Sequence, residues 1–189
     1  SAKNPYSKMK VISVNIGDRQ TVRWKNQSYE TGIFKYPVPG PIFLGETEVL
    51  HDQIIDRRFH GGIDKAVYAY GENHYGFWKA LYPDLEFTYG MFGENLTLDH
   101  LQEEEIFVGS IYSVGEALLQ VTKPREPCVK LGIRFQDARV IKQFWNTTKS
   151  GVYFKVLKTG SLEKDAAFLL VKQAKNNAYV AEIKKKQKK

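Results

Sequence analysis

The feature that most constrains this chain is its punctuation: segments of strand length follow one another closely, and glycine-bearing turns divide them. Residues 10–16 (KVISVNI) alternate and are rich in β-branched side chains, and Gly17-Asp18 closes them with a turn signal. Residues 20–24 and 28–35 predict a hairpin connected through Lys25-Asn26-Gln27. Pro37, Pro39, Gly40 and Pro41 then form a rigid loop, which excludes helix and central strand. Residues 49–55 read as extended, and residues 66–70 (AVYAY) as a short strand bounded by Gly71. In the middle, 95–98, 106–108, 111–114 and 117–121 read as strands with turns at Gly109 and Gly115-Glu116, and 152–157 and 166–173 supply the late strands.

Helical periodicity is confined to a few places. Residues 72–82 carry Tyr75, Trp78, Leu81 and Tyr82 at helical spacing, and Pro83 stops them. Asp137 predicts the N-cap of a helix over 138–145, with Val140, Ile141, Phe144 and Trp145 on its apolar side. Residues 176–183 can begin a third helix with little chain left to pack it. Many short strands with few helices predict a mainly β (α+β) domain built as a closed or partly closed β-barrel. No internal repeat or interdomain linker interrupts it. The expected organisation is an expression leader at 1–8, a barrel domain at 9–175, and a short helical or disordered lysine-rich tail at 176–189.

Composition excludes several classes. Hydrophobic residues make up 42% and aromatics 13%, which is globular rather than disordered. The longest apolar runs, such as 166–171, fall far short of the ~20 residues of a membrane helix, so no membrane partner is expected. One cysteine cannot form an intramolecular disulfide, and a reducing compartment, the cytoplasm, is the expectation. The formal charge of +7 is accounted for by five lysines in the last six residues and two ahead of Met9. The remaining body is neutral, so no nucleic-acid surface is expected on it. The lysine tail reads as solvated, and its deletion is expected to shift the thermal midpoint by no more than a degree or two.

Three patches carry chemistry. In residues 124–131 (PREPCVKL), two prolines stiffen the loop around Arg125-Glu126, and Cys128 has Lys123, Arg125 and Lys130 close by in sequence. Cationic neighbours favour a thiolate, the form that binds metal or attacks an electrophile; a buried structural cysteine is the alternative. In residues 56–65 (DRRFHGGIDK), Arg57, Arg58, His60 and Lys65 surround Gly61-Gly62, a setting for a phosphate or a solvated hairpin loop. There a Gly62→Val variant is expected to fold but bind its ligand weakly. The third is Gly93-Glu94-Asn95, where Glu94 can orient a base and Asn95 offers donors and an acceptor, or which is an ordinary turn. One cysteine and four scattered histidines give no zinc spacing, and His60 is the one plausible partner for a cysteine hydrolase. Nucleotide fingerprints are absent.

Together, HGGIDKAVYAY (60–70), FGENLTL (92–98), GSIYSVGEALLQVTKPREPCVKL (109–131) and SGVYFKVLKTG (150–160) resemble the MOSC family, named for the C-terminal domain of molybdenum cofactor sulfurases. The resemblance covers residues 11–172 and is closest to the stand-alone bacterial branch associated with detoxifying N-hydroxylated base analogues such as hydroxylaminopurine. It implies a β-barrel that binds molybdenum cofactor (molybdopterin), with Cys128 as metal ligand and catalytic residue. It further implies that Arg57, His60, Gly61, Gly62, Lys65 and Arg125 hold the pterin's phosphate, and that Asn95 bonds the pterin or substrate. The implied reaction is reduction of an N–OH group, fed by a separate reductase, since no flavin or iron–sulfur motif is present. A non-redox carrier of the cofactor, or of sulfur as a Cys128 persulfide, is the alternative. Relatives in the bacterial branch continue into a small three-helix segment, whereas this sequence reaches its lysine cluster soon after Ile183.

Overall fold

The computed structural model describes residues 8–50, 62–175 and 177–187. The long strand β1 (Met9–Gly17) has three neighbours along its length. β12 (Ala167–Lys172) pairs with its start, β7 (Leu96–Leu98) with its middle and β4 (Lys35–Pro37) with its end, all antiparallel. From β12 the sheet continues through β8 (Ile111–Val114), β9 (Ala117–Pro124), β10 (Val152–Lys158) and β6 (Val67–Gly71) to β7 and back to β1. The β1–β12 pairing closes seven strands into a barrel, the architecture the strand pattern predicted, and closure leaves those strands no free edge. The β6–β7 pair is parallel, and the crossover that parallel pairing requires contains α1 (Tyr75–Leu81).

Strand β6 shows why the molecule has two cores. Alternate residues of a strand face opposite sides, and all five residues of β6 are buried. Val67 and Ala69 join the barrel interior with Val11, Leu96, Leu119 and Phe154. Tyr68 and Tyr70 join an aromatic cluster outside it, with Trp78, Phe92, Phe135 and Phe144. That outer cluster is covered by α1, α2 (Val129–Phe135) and α3 (Arg139–Trp145). Tyr70 stacks on Phe92 at 4.2 Å, and the Trp78 indole donates to the Tyr70 hydroxyl at 2.8 Å. Burying the indole's one donor is therefore compensated.

This burial sets a pH dependence. Burial pushes the Tyr112 and Tyr153 phenols up to about 12. Tyr68, Tyr70 and Tyr75 are also raised, burial being the first cause in each case. A phenol with a raised value holds its proton more tightly folded than unfolded. Its contribution is complete below the unfolded value of about 10 and is lost as pH rises through about 12. A shift of about two units is worth roughly 2–3 kcal/mol for one phenol. The urea midpoint should therefore fall steeply above pH 10; an unchanged midpoint at pH 12 would contradict the buried phenols.

Several elements differ from expectation. The hairpin of β2 (Gln20–Trp24) and β3 (Gln27–Thr31) turns on two residues, Lys25 and Asn26, both left-handed at φ 48° and 65°. Such a turn matches the natural strand twist. The chain then leaves the hairpin at Thr31, and residues 35–37 serve instead as β4, at the end of the sheet order, where Pro37 is tolerated. Residues 106–108 form no strand: Phe107 makes one bridge to Tyr179 and stacks on its ring at 3.9 Å. Short β5 (Ile42–Leu44) and β11 (Gly160–Leu162) pair with each other. Val49 bridges Leu44, while the rest of the extended segment expected over 49–55 lies beyond Leu50, outside the described residues. Helix α3 begins one residue later than expected, with Ala138 at its N-cap; the Asp137 carboxylate just ahead still accepts from the Arg139 amide at 2.9 Å, and hydrogen bonds from Arg139 hold it below the usual carboxylate range.

The lysine tail requires a correction. Residues 180–186 form α4 (Val180–Lys186), whose face of Val180, Ala181 and Lys184 is buried. Lys184 is 0% exposed and donates to the Phe144 and Trp145 carbonyls at 2.9 and 2.8 Å. Those carbonyls end α3, where a cation is favoured. Lys185 and Lys186 remain exposed, as expected. No described helix is long and apolar enough to cross a membrane.

Candidate functional site

Cys128 stands where the barrel meets its outer helices. Strand β9 ends at Pro124, whose partner on β10 is Val152, and α2 starts one residue after the cysteine. Pro124, Arg125 and Pro127 are buried, Glu126 is exposed and Cys128 is half-buried. The Cys128 backbone is extended, and its carbonyl accepts from the Leu131 amide at 3.0 Å. Helix α2 is anchored through Leu131, Ile133 and Phe135, so the cysteine has a fixed base on both sides.

Arg125 is 3% exposed. Its Nη1 donates to the Phe92 carbonyl at 2.6 Å, and the guanidinium lies 5.2 Å from the Tyr68 ring centre and 5.5 Å from that of Phe144. Its Nε is buried with no hydrogen-bond partner among the described residues. Burial opposes the charge on Arg125, but Tyr68, Tyr153 and Cys128 outweigh it and hold its pKa above the ordinary arginine value.

Lys65 reaches the same neighbourhood from a different segment. It closes the 3-10 turn Ile63–Lys65, which is pinned to β9 where the Thr122 hydroxyl donates to the Asp64 carbonyl at 2.6 Å. The ammonium lies 5.6 Å from the Tyr153 ring centre. Burial first, then Lys123, lowers its pKa; Glu126 and Cys128 pull the other way. Tyr153 is the member that sequence reasoning missed. It stands directly across from Lys123 on β9 and Tyr68 on β6, so the three share the outer face of the sheet. The alternation in SGVYFKV marks it as outward-facing, but only the strand register shows what it faces.

Gly62 opens the Lys65 turn at φ 81°, ψ −179°, and an added Cβ there would meet nothing within 4 Å among the described residues. That backbone region belongs almost solely to glycine. The expectation that Gly62→Val alters binding alone is therefore revised. Gly62→Ala should already cost about 1–3 kcal/mol through strain. Gly40→Ala, at an equally open glycine whose φ lies outside the positive range, should be near neutral in the same denaturant titration.

The other assigned residues divide. Arg57, His60 and Gly61 lie outside the described residues. Asn95 is buried in the barrel wall: its Oδ1 accepts from the Tyr68 amide at 3.2 Å, and its own amide donates to the Tyr68 carbonyl at 2.9 Å. Glu94 is wholly buried and accepts from Tyr75 Oη, Thr97 Oγ1 and the Phe92 amide at 2.5, 3.0 and 3.0 Å. Burial holds its carboxyl above the usual range, with these hydrogen bonds acting in the opposite direction. Glu94 thus fixes the turn that presents the Phe92 carbonyl to Arg125, rather than orienting a base at Cys128.

A cleft of about 560 Å³, lined by residues including Pro41, Glu116, Ser161 and Lys164, lies elsewhere. It opens at the start of β9, and Cys128 follows the end of that eight-residue strand, a run of roughly 26 Å. The chemistry is gathered at the cysteine, not in that cleft. Among the described residues no group of three His, Cys, Asp or Glu could hold a metal ion.

A family model described as MOSC domain matches residues 56–169. The chain belongs to the MOSC domain family. It is 35% identical over 170 residues to the uncharacterized protein YflK of Bacillus subtilis, covering 90% of this chain and 76% of that protein. A protein of Gibberella moniliformis named Reductase is 36% identical over 146 residues, which are 76% of this chain and 26% of that protein. Among solved structures, YiiM from Geobacillus stearothermophilus superposes with a TM-score of 0.77 at 36% identity, covering 93% of this chain and 82% of that one. The MOSC barrel is thus common to sequence and structure comparisons, and Cys128, Lys65, Arg125 and Tyr153 all fall inside the matched span.

Proposed function

We propose that this MOSC protein binds molybdenum cofactor through Cys128 and reduces N-hydroxylated small molecules, such as N-hydroxylated base analogues, with electrons from a separate reductase. The observation that carries the reading is one half-buried thiol at the start of α2, with Lys65 and Arg125 near enough to interact with it electrostatically. The residues fit the group: a thiolate suits a soft, sulfur-bound metal, and the cations suit its phosphate. The relative named Reductase, in which the matched segment is about a quarter of the protein, supports a link to reductive chemistry.

In this reading Cys128 would hold the metal, Lys65 and Lys123 would neutralise the phosphate, and Arg125 would supply fixed positive charge from within the loop. Tyr153, its phenol held neutral by burial, presents a proton donor on the same face. When bound, the cofactor supplies the two-electron chemistry that, with two protons, converts N–OH to N–H and water. The test is metal analysis of protein from cells that make the cofactor, followed by turnover of an N-hydroxylated purine with an artificial reductant. Stoichiometric molybdenum with turnover is the expected result. Molybdenum without turnover would favour a carrier, and no molybdenum would overturn the proposal.

A further inference from the structure

Helix α4 lies against β9 and the 3-10 turn at 103–105. The segment before it is clamped to residues 106–108: the Val108 amide donates to the Ala178 carbonyl at 3.0 Å, and the Val180 amide to the Ile106 carbonyl at 2.8 Å. Lys184 is thereby held in the interior, where its Nζ bonds the last α3 carbonyls and lies 5.7 Å from the Phe144 ring centre. Arg125 uses that same ring, at 5.5 Å. Three residues past Lys184, Gln187 Nε2 donates to Glu126 Oε1 at 3.2 Å. Helix α4 thus reaches two successive residues of the cysteine loop, one through Phe144 and one directly.

We infer that Lys184 is a positioning residue for Cys128, holding Phe144 and through it Arg125 in the loop, while Gln187 braces Glu126. Capping α3 alone would not require a fully buried lysine, since a surface cation can reach helix-end carbonyls. Arg125 is held on one side by hydrogen bonds to the Phe92 carbonyl and the Tyr68 side chain. Its Nε lacks a partner among the described residues, so the flanking rings of Tyr68 and Phe144 contribute much of its placement. A displaced Phe144 would let Arg125 move, and Cys128 is three residues away.

The inference rests on Cys128 being the working residue of the site, but its test needs no cofactor. Cys128 is the sole cysteine, so its reaction with Ellman's reagent reads the loop directly. Lys184→Met keeps an apolar stem and removes the ammonium. Well below its melting temperature, with an unchanged circular dichroism spectrum, it should react about fivefold faster or more than the parent chain. Val114→Ala, a barrel-core change at the other end of β9, serves as the stability control and should stay within about twofold. A Lys184→Met rate within that band, or equal acceleration in both variants, overturns the inference. If Lys184→Met does not fold, Gln187→Ala decides: acceleration supports the brace, and an unchanged rate refutes it. Absence of molybdenum from the parent protein would sink the proposed function and leave this thiol result standing.

Discussion

Cys128→Ser is expected to lose molybdenum and turnover while keeping, or slightly raising, thermal stability. The residue is half-buried rather than packed in an apolar strand, so a hydroxyl there keeps contact with water. It is also the N-cap of α2, where it makes no side-chain capping hydrogen bond. Serine is among the preferred N-cap residues and can add up to about 1 kcal/mol there, a rise of a few degrees at most. As a ligand it is harder and far less acidic than a thiol, so metal retention should fall by more than about tenfold. Turnover should fall with it. Metal content, thermal midpoint and reduction of an N-hydroxylated purine should be compared on protein from the same cells. A variant that keeps stoichiometric molybdenum and full turnover would remove Cys128 from the site, and one that melts far lower would restore a structural role.

Ending the chain at Ile183 is expected to destabilise it by about 3–5 kcal/mol, a loss on the order of 10 °C in thermal midpoint. The deletion removes two charge-assisted hydrogen bonds to carbonyls at the end of α3 and leaves the buried Phe144 carbonyl without that donor. Hydrogen bonds to charged groups contribute roughly 1.5–3 kcal/mol each. This reverses the small effect that a solvated tail predicts. Removing only residues 185–189 should recover most of the stability, because Lys185 and Lys186 are exposed and the Gln187 bond to Glu126 lost with them is an exposed one. Differential scanning calorimetry on the two truncations separates the cases. Equal midpoints for both would mean that the buried ammonium contributes nothing.

Local chemistry in the sequence determined most of the barrel. The alternating β-branched run at 10–16, the rigid loop through Pro39 and Pro41, the AVYAY strand and the Asp137 turn ahead of α3 are decided within a few residues of themselves, because backbone sterics and side-chain periodicity act at short range. The cysteine loop was legible for the same reason: two prolines and neighbouring cations act along the chain. Helix α2 was not, since seven residues around Gly132 are too short to hold a helix without the aromatic cluster on which Leu131 and Phe135 pack. Tyr153 became a site residue only when register set it opposite Tyr68 and Lys123. That Asn95 and Glu94 are buried and hydrogen-bonded to distant segments likewise appeared only in the folded chain. Lys184 shows the limit most clearly. In sequence it is one lysine in a run of three, and only carbonyls some 40 residues away turn it from a solvated charge into an interior one. Charge can be counted along a chain, but whether water or protein solvates it is decided by packing in three dimensions.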